Sequence, residues 1–175
     1  MSSPTSINVV TIRTVQIQDL DIARQLILQM LTDSPEAFGE TLSEAQARTD
    51  PDWEGYLQSM ITPSGHTAFI AFDQRGACGY IAGDATNPQT PSGTVMVSRL
   101  WVAPRQRGTE LGRQLMDVAT KWASEQNAQF IGLGVTEMNL NAMKFYEHLG
   151  YIDTGMRFPL PWDQARQIII LGRKL

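Results

Sequence analysis

The chain has 175 residues, enough for one domain with a real core, and its apolar and charged fractions (42% and 18%) are those of an ordinary globular protein. A formal charge of -4 argues against a nucleic-acid binder, which usually presents a basic face. No apolar run approaches the roughly 20 residues of a membrane span, and Met1–Ser6 lacks the basic start and apolar stretch of a signal peptide. The single cysteine, Cys78, excludes an internal disulfide, and no Cys/His cluster has metal-ligand spacing. The expectation is a cytoplasmic protein with no metal, no membrane contact and no nucleic-acid partner.

Residues 1–6 read as a disordered tail. Ile7–Arg13 is rich in β-branched residues and predicts a strand. Leu20, Ala23, Leu26, Ile27 and Met30 recur at helical spacing, and Pro35 ends that helix. Glu36–Met60 predicts one or two shorter helices, with a start at Asp50-Pro51-Asp52. After a turn at Thr62–Gly65, two strands (Thr67–Phe72 and Ala77–Ala82) flank Asp73-Gln74-Arg75-Gly76, a hairpin signal. A long strand runs from Thr94 to Val102, and Leu111, Leu115, Val118 and Trp122 mark a helix. Phe130–Val135 is a short apolar strand. Ala142, Phe145, Tyr146 and Leu149 mark another helix, capped by Gly150. Tyr151–Arg157 and Gln167–Leu171 supply the last strands, with the turn placed at Pro159-Leu160-Pro161. The order β-α-α-β-β-β-α-β-α-β-β predicts an α/β domain whose mixed sheet is covered by helices.

The segment Leu100-Trp101-Val102-Ala103-Pro104-Arg105-Gln106-Arg107-Gly108-Thr109-Glu110-Leu111-Gly112-Arg113 joins the long strand to a helix. Free amides at a helix start, backed by its dipole, form an anion site. Glycines permit close approach, and Arg105, Arg107 and Arg113 add charge. A phosphate or pyrophosphate is the implied ligand. The Walker lysine and the dinucleotide glycine pattern are both missing. On glycine spacing alone, a solvated basic loop accounts for the same residues.

A second segment, Asn139–Tyr151, follows a strand and carries Asn139, Ala142, Phe145, Tyr146, Glu147, Leu149, Gly150 and Tyr151. Together the two segments resemble the GNAT acetyltransferase superfamily. There a valine-ended strand precedes Arg/Gln-x-x-Gly-x-Gly/Ala, and a later helix reads Asn-x-x-Ala-x-x-Leu/Phe-Tyr-Glu-x-Leu-Gly-Phe/Tyr. The resemblance implies a GNAT acyl-CoA N-acyltransferase fold over residues 7–175, a mixed sheet of about seven strands flanked by four helices. It also implies acetyl-CoA as co-substrate. Arg107, Gly108, Thr109, Glu110, Leu111, Gly112 and Arg113 would cradle the pyrophosphate, and the backbone of Leu100, Trp101 and Val102 would pair with the pantetheine arm. Asn139 would contact the cofactor near the thioester, and Tyr146 would protonate the departing thiolate.

Glu110 departs from the pattern, standing where the family usually has glycine, and its charge opposes an anion. The general base is missing from its familiar places. Gly134 occupies the strand position where some members carry glutamate, and the long strand offers only Met96, Ser98 and Arg99. Ser98 is a candidate for orienting a water, while Glu137 and Asp84, near strand ends, are candidates for the base. Cys78, on an apolar strand, reads as core rather than as an acyl carrier, and His148 as a partner of its helix dipole. The acidic stretch Asp33–Glu54 is either a solvated face or an attraction for a cationic amine, and Phe38 and Trp53 either wall or core. The expected activity is acetyl transfer to a primary amine of a small molecule by direct attack in a ternary complex. A peptide amine, with Pro159–Trp162 as one wall of its groove, and a non-catalytic acyl-CoA-binding module are the alternatives. A homodimer is a further expectation.

Overall fold

The computed structural model describes residues 9–62 and 65–175, so the tail, Ile7-Asn8 of the first expected strand and Pro63-Ser64 of the expected turn lie outside the described residues. Seven strands build one sheet: β1 (Thr11–Thr14), β2 (His66–Asp73), β3 (Gly76–Asp84), β4 (Thr94–Val102), β5 (Phe130–Thr136), β6 (Ile152–Leu160) and β7 (Asp163–Lys174). Their spatial order is β1-β2-β3-β4-β5-β7-β6. Every neighbouring pair is antiparallel except β4 and β5, which run parallel. The α/β expectation of a seven-stranded mixed sheet holds.

The helices are α1 (Leu20–Asp33), α2 (Leu42–Gln46), α3 (Asp50–Met60), α4 (Leu111–Glu125) and α5 (Leu140–His148), five rather than four. The extra one is α2, a single short helix whose start is fixed by a capping box. Thr41 accepts from the Glu44 amide while the Glu44 carboxylate takes the Thr41 amide, and Thr49 with Asp52 repeats the device at α3. These Thr-x-x-Glu and Thr-x-x-Asp spacings were legible signals within the acidic stretch.

The two sheet faces bury different helices, and the alternation of β3 shows which residue looks where. A side chain at Gly79 or Gly83 would run into Leu115 and Trp122 of α4, at 2.9 and 2.5 Å. Between them Tyr80 points the other way, its hydroxyl reaching Met60 of α3 at 3.7 Å. Ala82 and Asp84 follow Tyr80 onto the α3 side. On α1, Ala23, Leu26, Ile27, Met30 and Leu31 form the buried stripe, and on α4 Leu111, Leu115, Met116, Ala119 and Ala123 do so.

Several boundaries differ from expectation, β7 among them, which runs Asp163–Lys174 rather than Gln167–Leu171. The first strand pairs with β2 only from Thr11 onward, so β-branched Val9 and Val10 lie before it. Pro159 and Leu160 belong to β6, because Leu160 is fully buried and pairs across to Asp163, leaving Pro161-Trp162 as the turn.

Candidate active site

β4 and β5 pair only through Thr94–Val97 and Phe130–Leu133. Beyond Val97 and Leu133 the two strands separate, leaving backbone groups of β4 and β5 facing a gap. A bulge on β4 accompanies the separation: Ile81 of β3 stands opposite both Arg99 and Leu100, and Arg99 has φ +55°. A left-handed non-glycine residue is costly and marks a place where geometry outranks backbone comfort.

A cleft of about 590 Å³ opens over this gap on the α3 side of the sheet. Ser98, Leu100, Asn139 and Tyr146 line it, together with Leu133, Gly134 and Thr136 of β5. Four of the expected site residues therefore meet at one place. The Tyr146 ring packs edge-on against Phe145 and Tyr151, with centroids 5.3 and 5.9 Å away, while its hydroxyl takes no partner among the described residues. Burial, and secondarily Tyr151, push its pKa up, so it stays protonated at neutral pH. Asn139 caps α5, its Oδ1 accepting from the Ala142 amide at 3.1 Å, which leaves its NH2 group uncommitted. Thr136, not singled out from sequence, has a buried hydroxyl with no partner among the described residues beside this cap.

The loop from β4 to α4, with residues 101–113, lies outside the lining of this cleft and follows the C-terminal end of β4. Gly108 has φ +77°, and nothing stands within 4 Å of where its side chain would be. Thr109 Oγ1 donates to Gln106 O at 2.7 Å and accepts the Leu111 amide at 3.3 Å, so the loop is held by its own groups. Among the described residues the amides of Gly108, Glu110, Gly112 and Arg113 meet no acceptor. That is the donor set an anion at a helix start requires. Glu110 has helical backbone (φ -74°) and needs no glycine there, and its carboxylate lies 3.5 Å from Arg113. The Leu111 side chain is core, and Gly112 keeps α4 against α5, since a Cβ would lie 3.3 Å from the Phe145 ring.

The arginines expected to add free charge here are already paired. Arg105 and Gln106 both donate to the carboxylate of Asp73 at the hairpin, which holds that group far below the ordinary carboxylate range. Arg107 gives its Nε to Val102 O at 3.0 Å and ion-pairs with Asp33. The Trp101 indole donates to the same Asp33 oxygen at 3.0 Å. Trp101 is thus buried toward α1, and the carbonyl of Val102 is already in use.

The far end of the cleft is walled by Phe38, Met156, Phe158, Pro159 and Pro161, with Glu40, Asp84 and Arg99 as its charged groups. Trp162 fastens the β6–β7 turn over this end by donating to Phe38 O at 2.8 Å. Trp53 is core, by contrast. Most acids of the Asp33–Glu54 stretch have local tasks: Glu44 and Asp52 cap helices, Asp50 pairs with Arg24, and Glu40 with Arg99 and Arg48. Glu40 alone of them lines the cleft. The place where a strand glutamate was looked for is closed: a Cβ on Gly134 would sit 2.8 Å from Ile168 Cγ2. Glu137 is exposed and outside the cleft lining. Cys78 is buried, and burial with nearby Asp73 pushes its thiol up to about 11, which removes it as a nucleophile. His148 Nδ1 lies 2.6 Å from Lys144 O on its own helix.

Among the described residues no cluster of three metal-ligating side chains occurs, and no helix is long and apolar enough to cross a membrane. A sequence model described as the acetyltransferase (GNAT) family matches residues 26–151. A GNAT-family acetyltransferase from Streptococcus pneumoniae superposes with TM-score 0.79 at 15% identity, covering 95% of this chain and 99% of that one. A putative acetyltransferase from Salmonella typhimurium with its cofactor acetyl-CoA gives 0.73 at 16% identity, covering 95% and 94%. Spermidine N-acetyltransferase from Vibrio cholerae, in complex with CoA and spermine, gives 0.74 at 16%, covering 94% and 95%.

Proposed function

We propose, from the premise that the chain belongs to the GNAT acetyltransferase family, that it transfers acetyl from acetyl-CoA to a primary amine of a small molecule by direct attack in a ternary complex. The observation that carries the reading is the parting of β4 from β5 past Val97 and Leu133, with Tyr146 lining the gap and uncommitted amides at the α4 start. A thioester arm laid in the gap would find backbone partners on Ser98–Leu100, and a diphosphate would meet the amides of Gly108, Glu110, Gly112 and Arg113. Acetyl-CoA supplies the activated acyl group; the chain's residues position and protonate.

Leu100 and Trp101 offer the β4 edge, the Val102 carbonyl being taken by Arg107, and Asn139 an uncommitted NH2 near the reacting end. Tyr146 would donate to sulfur as the carbon–sulfur bond breaks. Ser98, exposed at the base of the gap, is placed to orient a water. Phe38, Met156, Phe158 and Pro159 would wall the amine end, and most of the acceleration would come from positioning the amine there. Trp162 closes the end over which a peptide would have to extend, which favours a compact acceptor.

The test is a thiol-release screen with acetyl-CoA and a panel of polyamines, amino-acid amides and short peptides, run beside thermal shift. Acceptor-dependent release with a small amine is expected. Coenzyme A binding without release on any amine would support a non-catalytic binding module instead.

A further inference from the structure

One polar cluster at the cleft has no task in the reading above. His66 opens β2 and Asp84 closes β3, and the register sets them opposite one another, with Met96 of β4 next in the row. The following row on the same face holds Ala82 and Ser98, about 7 Å along the strands. Asp84 thus stands one row from the point where β4 and β5 part, and it lines the cleft.

Its carboxylate is held in one orientation. Oδ1 accepts from the Thr86 amide at 2.7 Å and the Thr86 hydroxyl at 2.8 Å, and His66 Nε2 lies 3.3 Å away. Oδ2 has no partner among the described residues. His66 Nδ1 is buried, also without a partner among the described residues. A stranded lone pair there costs less than a stranded N–H, so the proton sits on Nε2 and is donated to the Thr86 hydroxyl oxygen at 3.2 Å, beside Asp84. The other titratable groups lining the cleft are Glu40, Arg99 and Tyr146. Glu40 and Arg99 are joined to each other at 2.8 Å, with Arg48 on the second Glu40 oxygen. Asp84 is the remaining carboxylate of the cleft.

We propose that Asp84 is the proton acceptor for the attacking amine, with His66 and Thr86 as positioning residues that keep Oδ2 turned to the cleft; this rests on acetyl transfer to an amine as proposed above. The amine arrives as an ammonium ion and gives one proton to Asp84, directly or through one water. Its lone pair then forms the nitrogen–carbon bond as the carbon–sulfur bond breaks. The nitrogen's second proton passes to cleft water, and the coenzyme A thiolate, which leaves under the hydrogen bond from Tyr146, takes one back from that water. Asp84 returns its proton to solvent, so each turnover releases one proton.

The test uses Asp84→Asn, Asp84→Glu and His66→Gln in the full chain, with the best of spermidine, spermine, putrescine and alaninamide as acceptor. For Asp84→Asn at pH 7.5, kcat/KM for the amine should fall about 100-fold or more, with coenzyme A affinity by calorimetry within about twofold of wild type. The loss should narrow as pH rises toward 10, where solution deprotonates the amine. Asp84→Glu should recover part of the rate, and His66→Gln should lose several-fold with the same change of pH profile. Calorimetry of the amine on the enzyme–coenzyme A complex should show weaker binding to Asp84→Asn, which removes the ammonium's counter-charge. Asp84→Asn retaining half of wild-type turnover, or losing the same factor at every pH, overturns the proposal. A wild type that releases no thiol with any amine overturns the acetyl-transfer reading, and the base with it.

Discussion

Arg107, at the threshold of α4, is ion-paired with Asp33 at the end of α1, and the Trp101 indole shares the same carboxylate oxygen. One carboxylate therefore ties the loop expected to hold pyrophosphate to the segment that leads into the acceptor wall at Phe38. Asp33→Asn keeps an acceptor for the indole and removes the charge that holds Arg107. The Asp33 and Arg107 side chains are 22% and 47% exposed, so screening reduces the pair to about 1 kcal/mol, a fall of about 3 °C in Tm for a chain of this size.

The sign with pH follows from the same site. Burial alone would raise the Asp33 pKa, but donation from Trp101, Ser34 and Arg107 outweighs it and lowers the value. A depressed folded pKa stabilises above the unfolded value near 3.9 and stops doing so as pH falls through the folded one. The wild type and Asp33→Asn should differ at pH 7 and converge as pH falls through the lowered folded-state pKa of Asp33. A thermal melt series checks this, and a gap that persists into acid would exclude the ionised pair as its source.

Glu110→Gln isolates the departure from the glycine pattern. The backbone there is helical and the side chain 76% exposed, so glutamine should fold without strain. Removing one charge beside a bound diphosphate in a largely aqueous setting is worth roughly 0.5–1 kcal/mol. Coenzyme A should bind about two- to fivefold tighter, with the gain shrinking as salt is raised. Unchanged affinity at low salt would mean that Glu110 points away from the diphosphate.

Much of this architecture could be read from local pattern. The β4 boundaries Thr94 and Val102, the start of α4 at Leu111 and the Gly150 cap follow from alternation, helical period and a left-handed glycine. What escaped depends on partners far apart in the chain. Nothing near Arg107 announces Asp33, and nothing near Glu40 announces Arg99. The β6–β7 turn was placed two residues early because two prolines outweighed Leu160, whose burial is decided by the core beneath it. Asn139 and Tyr146 were found because a motif names them, and Ser98 because it stands on the long strand where a base was looked for. Asp84 was a candidate base from its place near a strand end, but its partner His66 was not seen, since only the β2–β3 register brings the two together.

Gly134 explains why the familiar strand glutamate is missing. A side chain there must displace Ile168, whose Cγ2 lies 2.8 Å from the Cβ position. Gly134→Glu should therefore cost about 2 kcal/mol, several degrees in Tm, and bring no gain in kcat. Adding Ile168→Ala should recover part of the stability by vacating the space. A single Gly134→Glu variant that melts with wild type and turns over faster would show that the wall yields and that the base position is open.

Tyr146→Phe separates the ring from its hydroxyl. The ring is part of the packing with Phe145 and Tyr151, and phenylalanine keeps it. With no partner in the described protein, the hydroxyl contributes little to the fold, so Tm should stay within a degree or two and coenzyme A affinity within about twofold. Turnover should fall about 10²-fold, the usual weight of a general acid. Because burial raises the Tyr146 pKa, it should contribute no descending limb to the wild-type pH profile below pH 10. The same shift limits how it acts. Full transfer to a thiolate of ordinary pKa near 8.5 is uphill by about 2 kcal/mol or more, unless the sulfur is desolvated alongside it. Tyr146 should therefore serve the bond-breaking step by donating a hydrogen bond as charge builds on sulfur, and the defect should shrink with a thioester whose thiol is a stronger acid. Wild-type kcat in Tyr146→Phe would assign the residue to packing and leave sulfur to water.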